Sequence, residues 1–166
     1  MPKITIKTPR KNLFRMRGAI AMLDGKDHTQ PVRDAQGNII PTPPNKLIPY
    51  VFDGMTARLN LSRNADDLGE EIEAVNKEKT KKLLALSPNR EPIEKGTDAH
   101  KEFNKWWDEV LESEIEIELR TVQYLKLQPE KNGIPMEVIA SLGEMVEYPT
   151  DEELAALEES QKKKEN

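Results

Sequence analysis

The sequence predicts an α+β, mainly helical fold: an antiparallel helix pair with a short strand and C-terminal helices, preceded by an extended N-terminal arm. Three observations carry this expectation. Helix-period apolar spacing dominates residues 65–146, one period-two stretch interrupts it at residues 115–119, and seven of the twelve prolines crowd into the first fifty residues. Each proline fixes φ and removes a backbone donor, so a regular helix is excluded across most of that first segment.

Taken in order, Ile4 and Ile6 alternate with polar residues and residues 13–23 are moderately apolar, which predicts one or two short strands or extended pieces. Asp24-Gly25 and Gln36-Gly37-Asn38 are turn sites. Residues 39–50 read Ile-Ile-Pro-Thr-Pro-Pro-Asn-Lys-Leu-Ile-Pro-Tyr and should be extended. The pairs Ile39/Ile40 and Leu47/Ile48 can lie on a partner surface, which marks a docking arm rather than a free linker. A loop packed on its own domain fits the same residues.

Asn64 before Ala65-Asp66-Asp67 is a helix start, because Asn accepts from orphan amides and acids suit the positive end of the dipole. The helix is expected over residues 65–86, roughly 30 Å long. Its stripe of Leu68, Ile72, Val75, Leu83 and Leu86 is thin, with Lys79 standing where the next apolar residue would fall, so it needs a partner helix. Glu73 with Lys77, and Glu78 with Lys82, support its exposed face, and Ser87-Pro88-Asn89 ends it. Thr97 and Asp98 can cap a second helix in which Phe103, Trp106, Trp107, Val110 and Leu111 hold the cleanest helical period in the chain. They are the expected centre of the core. Next, Ile115, Ile117 and Leu119 alternate with Glu114, Glu116, Glu118 and Arg120, favouring a strand with one wet face over a continued helix. Pro135 opens a third helix through Val138, Ile139, Leu142, Met145 and Val146, and Pro149 stops it. Thr150 and Glu153 have capping-box spacing for a last helix, with Lys162-Lys163-Lys164 at its negative end. The chain thus divides into a basic arm at 1–54, a helical body at 55–149, and a short helix with a charged tail at 150–166.

Charge separates arm from body. Residues 1–50 hold nine Lys/Arg and three Asp, giving +6, whereas residues 51–166 hold sixteen and twenty-seven, giving −11; together they return the net charge of −5. A basic arm on an acidic body docks on acidic surfaces or on phosphates. Only 36% of residues are hydrophobic, and the mean hydropathy of −0.73 leaves little apolar material for a core. No run approaches the ~20 apolar residues that cross a bilayer, and no signal-peptide pattern opens the chain, so neither membrane insertion nor secretion is expected. Without cysteine there is no disulfide framework, thiolate cluster or Cys nucleophile, and two histidines do not make the usual zinc site, so no metal or cofactor is expected. The Gly-rich phosphate loops and the nucleophile elbow are absent from the sequence.

Among residues able to carry chemistry, Glu114, Glu116 and Glu118 form a carboxylate row that could bind Ca²⁺ or Mg²⁺ through oxygen. On a strand, alternate residues stand ~6.6 Å apart and no further oxygen ligand follows nearby, so a solvated face, or an acidic face meeting a basic arm, is favoured. Trp106 and Trp107 could stack on a base or a sugar, but their spacing favours core. His28 and His100 have no sequence-local partner for acid–base work and read as surface or capping residues. The basic run Lys3, Lys7, Arg10, Lys11, Arg15 and Arg17 could neutralise phosphates, which makes nucleic acid the second class of partner. Phe14 is its only interleaved aromatic and the acidic body opposes polyanions, so an acidic protein surface, on another copy of this chain or another subunit, is favoured. The residues predicted to dock are Arg10, Lys11, Arg15, Arg17, Ile39, Ile40, Leu47 and Ile48. Deleting residues 1–50 is expected to leave a folded body that no longer associates.

The stretch from Met55, reading Met-Thr-Ala-Arg-Leu-Asn-Leu-Ser-Arg-Asn-Ala-Asp-Asp-Leu into a long charged helix, resembles a group of small proteins of tailed bacteriophages. The order of an acidic helix, an alternating strand and a short Ile-Pro-led helix matches over about residues 55–147. The resemblance implies a non-enzymatic structural or assembly protein of a larger viral complex, in host cytoplasm or virion. It brings no catalytic residues and does not cover the first fifty residues.

Overall fold

The computed structural model describes residues 2–23, 36 and 50–165. Its fold is α+β and mainly helical. The elements run β1 (Lys3–Pro9), α1 (Lys11–Leu23), α2 (Met55–Leu86), α3 (Asp98–Glu112), β2 (Glu114–Arg120), β3 (Val122–Gln123), α4 (Tyr124–Leu127), α5 (Pro129–Asn132), α6 (Met136–Ser141), β4 (Val146–Glu147) and α7 (Asp151–Lys164).

Both period-two stretches are strands, and they pair with each other. β1 lies antiparallel to β2 with Ile4 opposite Leu119, Ile6 opposite Ile117 and Thr8 opposite Ile115, so one face of the ribbon is apolar and the other charged. A two-stranded ribbon is marginal alone, and its inner face must be covered. α1 does this: Leu13, Met16, Ile20 and Leu23 fall at helical spacing, and all four are buried.

This corrects the expectation of extended chain at residues 13–23. Pro9 and Pro31 bracket a proline-free window, and inside it the 3.6-residue repeat is free to form a helix. The segment read as the beginning of an arm is therefore core: Ile6, Leu13, Ile20 and Leu23 are all at most 1% exposed. Residues 24–35 and 37–49 lie outside the described residues, and with them Ile39, Ile40, Leu47 and Ile48.

α2 begins ten residues before its expected start, because Asn64 is not a cap. It is fully buried mid-helix, and its side-chain amide pairs both ways with the backbone of Arg120: Nδ2 donates to the carbonyl and Oδ1 accepts from the N–H, each at 2.8 Å. One turn earlier, Asn60 Nδ2 donates to the Thr121 carbonyl at 3.0 Å. Two asparagines four apart on one helix face thus complete the exposed edge of β2 as a neighbouring strand would. Asn132 repeats the device on Val51, donating to its carbonyl and accepting from its N–H, and so ties the approach to α2 against α5.

The core cluster gathers α1, the first half of α2 (Ala57, Leu61, Leu68), the ribbon, and Ile134, Val138, Ile139, Leu142, Met145 and Val146. The last five were expected on one helix from Pro135; instead α6 stops at Ser141, since Gly143 takes φ +62°, and the chain turns through Gly143–Met145 into β4, parallel to β3. Burial holds for these residues although helical continuity does not. α7 has the expected capping box, Thr150 with Glu153, and buries none of its residues.

Two outcomes follow. Asn64→Ala strands both backbone groups of Arg120 and should lower stability by about 2 to 4 kcal/mol, whereas Asn60→Ala, which breaks one bond, should cost about 1 kcal/mol, both read from urea unfolding. A chain lacking residues 1–23 should show no cooperative thermal transition. A native-like melt of that truncation would contradict the placement of α1 in the core.

Candidate functional site

The charge asymmetry of the sequence has an intramolecular resolution. On the outer face of the ribbon, Lys3 of β1 pairs with Glu118 of β2 at 3.7 Å and Lys7 pairs with Glu114 at 3.1 Å, while Lys11 at the start of α1 reaches Glu112 at the end of α3. Arg10 donates to the Ser113 hydroxyl, and Arg17 Nε donates to the Ala65 carbonyl at 3.3 Å. Arg15 is exposed, with no ion pair among the described residues. Of the four basic residues predicted to dock on a partner, three are therefore engaged by this same chain. The acidic surface that the basic segment meets is its own. The glutamate row at 114, 116 and 118 faces outward, and no group of three or more His, Asp or Glu among the described residues is placed to hold a metal ion.

The aromatic period of α3 is present, but it is not the centre of the core. Phe103, Trp106 and Trp107 lie together with ring centroids 5.9 to 6.5 Å apart, Phe103 stacked on Trp107 and the other two pairs tilted, yet no residue of α3 is buried. α3 returns antiparallel along the distal half of α2, beyond the core cluster. Lys82 pairs with Glu102 at 2.7 Å, and three residues earlier on α2 the Lys79 ammonium sits 4.7 Å from the Trp107 ring centre. These contacts register the hairpin but leave its apolar face half-covered: Leu83, Leu86, Phe103, Trp106, Trp107, Val110 and Leu111 are all half-buried, and Leu84 is exposed. The sequence did carry a signal for this. A stripe as thin as that of residues 72–86, interrupted by Lys79, cannot bury two tryptophans.

Local sequence fixes the hairpin's geometry. Thr97 caps α3 by accepting from the His100 N–H at 3.2 Å, and the ring of His100 accepts from Gly96 N–H at 3.4 Å. His100 is thus the capping-region residue that the sequence suggested; His28 lies outside the described residues. At the far end, the Ser113 N–H donates to Glu109 and Val110 carbonyls, and the chain passes directly into β2. α3 is consequently held at both ends while its face stays open.

Among the described residues, two of the clefts away from the hairpin border α2. One, about 390 Å³, separates α1 from α2 and is lined by Phe14, Arg17, Gly18, Ala21, Gly69 and Ile72 among others; a Cβ at Gly69 would come within 3.3 Å of Arg17 Nε. The other, about 380 Å³, lies at the start of α2 beside β3, where Lys126 pairs with Asp53 at 2.9 Å. Asn60 borders it, and its Oδ1 is buried without a hydrogen-bond partner, the amide orientation being set by Thr121. Comparison of the chain with protein-family models, with curated proteins and with solved structures gives no match.

The ribbon ion pairs are exposed, and pairs of this kind contribute at most about 1 kcal/mol each. Glu114→Gln and Glu118→Gln should each lower stability by less than about 1 kcal/mol, and the difference from wild type should vanish in urea titrations at molar salt.

Proposed function

We propose that this chain is a non-enzymatic structural or assembly subunit of a larger complex of the tailed-bacteriophage kind, working by protein–protein contact in host cytoplasm or virion. The observation that supports it best is the aromatic row of α3. Aromatic residues make up only 5% of the chain, and both tryptophans stand on a helix with no buried residue. Half-exposed aromatic surface rimmed by charges suits a contact surface, and Trp is enriched where interfaces concentrate their binding energy. α7 has the same character: Leu154 and Leu157 are 42% and 39% exposed on a well-capped helix that buries none of its residues among the described residues.

On this reading the docking elements are the α2–α3 hairpin and α7, rather than Arg10, Lys11, Arg15 and Arg17. Phosphate contact through the basic residues is the weaker reading, because Lys3, Lys7 and Lys11 already face Glu118, Glu114 and Glu112. No helix among the described residues is long and apolar enough to cross a membrane, so the uncovered faces suit a protein partner.

The test is native mass spectrometry of gently lysed producing cells, after nuclease treatment. The proposal expects the chain in a complex of fixed stoichiometry, with other copies or other polypeptides. A chain recovered only as the 19.0 kDa monomer, or held only by nucleic acid and released by salt, would overturn it.

A further inference from the structure

We infer that the cleft at the start of α2 binds a free α-amino acid, with the carboxylate on the uncapped amides of the helix and the ammonium on Asn60 and Glu147. This goes beyond the assembly reading and does not depend on it. At about 380 Å³ the cleft has the size that small ligands occupy. Its buried members Ala57, Asn60 and Val122 form the floor, and the exposed Asp53, Lys126 and Glu147 form the rim.

The floor carries an acceptor that lacks a donor. Asn60 is 4% exposed, and among the described residues its Oδ1 is the one buried side-chain nitrogen or oxygen without a hydrogen-bond partner. The cause lies in the ribbon. The Thr121 N–H donates to the Pro2 carbonyl at 3.4 Å, but Pro2 has no N–H to return to the Thr121 carbonyl, and Asn60 Nδ2 takes that place at 3.0 Å. Asn60 is thereby held by its nitrogen, and Oδ1 cannot be exchanged for it. A buried orphan of this kind calls for a donor from outside the chain. Side chains on a helix lean toward its N-terminus, so the Asn60 amide lies beside the turn that holds Thr56 and Ala57.

That turn supplies the opposite pole. The N–H groups of Met55, Thr56 and Ala57 precede the first intrahelical bond, Gly54 at the N-cap has no side chain to accept from them, and the first turn contains no acid. No atom stands within 4 Å of where a Cβ on Gly54 would lie, so the approach to these amides is open. The positive end of a 32-residue helix is left for an anionic group. On the rim, Lys126 and Asp53 offset each other in their pair at 2.9 Å, whereas Glu147 has no ion pair among the described residues. A simple anion would answer the amides and leave Glu147 and Oδ1 unmatched; a simple cation would do the reverse. A carboxylate and an ammonium on one small molecule answer all three.

The test is titration of the ¹⁵N-labelled full-length chain with the common amino acids, followed by amide NMR, with acetate and methylammonium as the separate halves. At least one amino acid should give saturable shifts at the amides of Met55, Thr56 and Ala57 and at the side-chain amide of Asn60, and should bind more tightly than either half. Asn60→Ala should weaken that binding about tenfold or more, because a hydrogen bond to a charged group is lost. Glu147→Gln removes an exposed charge, so it should weaken binding up to about fivefold while leaving the urea midpoint unchanged, which separates loss of the site from loss of the fold. Three results would overturn the inference: no saturable shift with any amino acid, as for an Oδ1 that takes a bound water only; acetate reproducing the full response at the same affinity; or binding that is unchanged in both variants.

Discussion

The structure depends on how α2 is pinned. Asn64 pairs with both backbone groups of Arg120, and Asn60 with the Thr121 carbonyl, so the first half of a 32-residue helix is fixed along the edge of a two-stranded ribbon. Buried amides of this kind are costly when unpaired, and they hold one register because any slip would strand them. With that half fixed against the core, the distal half of α2 must run on past it. A helix of this length reaches ~48 Å, more than the ribbon and α1 can cover.

The remainder follows from scarcity. A chain with so little apolar material closes one core, and it spends α1, the ribbon and residues 134–146 on it. Among the described residues none of α3 or α7 is buried, and the aromatic row of α3 stays half-open. The basic segment is absorbed likewise: β1 and the start of α1 set their lysines against the acids of β2 and α3, so the division of charge along the sequence becomes pairing within the fold. What remains for a partner is half-covered apolar surface along the α2–α3 hairpin.

Legibility in the sequence followed the range of the interactions. Elements set by local chemistry were readable: the strand at Ile115, Ile117 and Leu119, the Thr97 cap, the Thr150–Glu153 capping box and the stop at Ser87. Those set by distant partners were not. Asn64 has the composition of a cap and becomes a buried cross-link only because Arg120 arrives 56 residues later. α1 was hidden by the prolines around it, although Leu13, Met16, Ile20 and Leu23 carried the helical period. The α3 aromatics had the right period and the wrong assignment: periodicity reveals which face is apolar, whereas the supply of apolar residues elsewhere decides whether anything covers it. Of the predicted docking residues, Arg10, Lys11 and Arg17 make contacts within this chain.

Both tryptophans of the chain are on α3, so their environment reports on the central claim without any label. The most direct measurement is acrylamide quenching of tryptophan fluorescence on the dilute, purified chain. Quenching should be efficient and the emission red-shifted. Tryptophans strongly protected from acrylamide, with blue-shifted emission, would mean that the chain covers α3 by itself, and the account of an open hairpin face would fail.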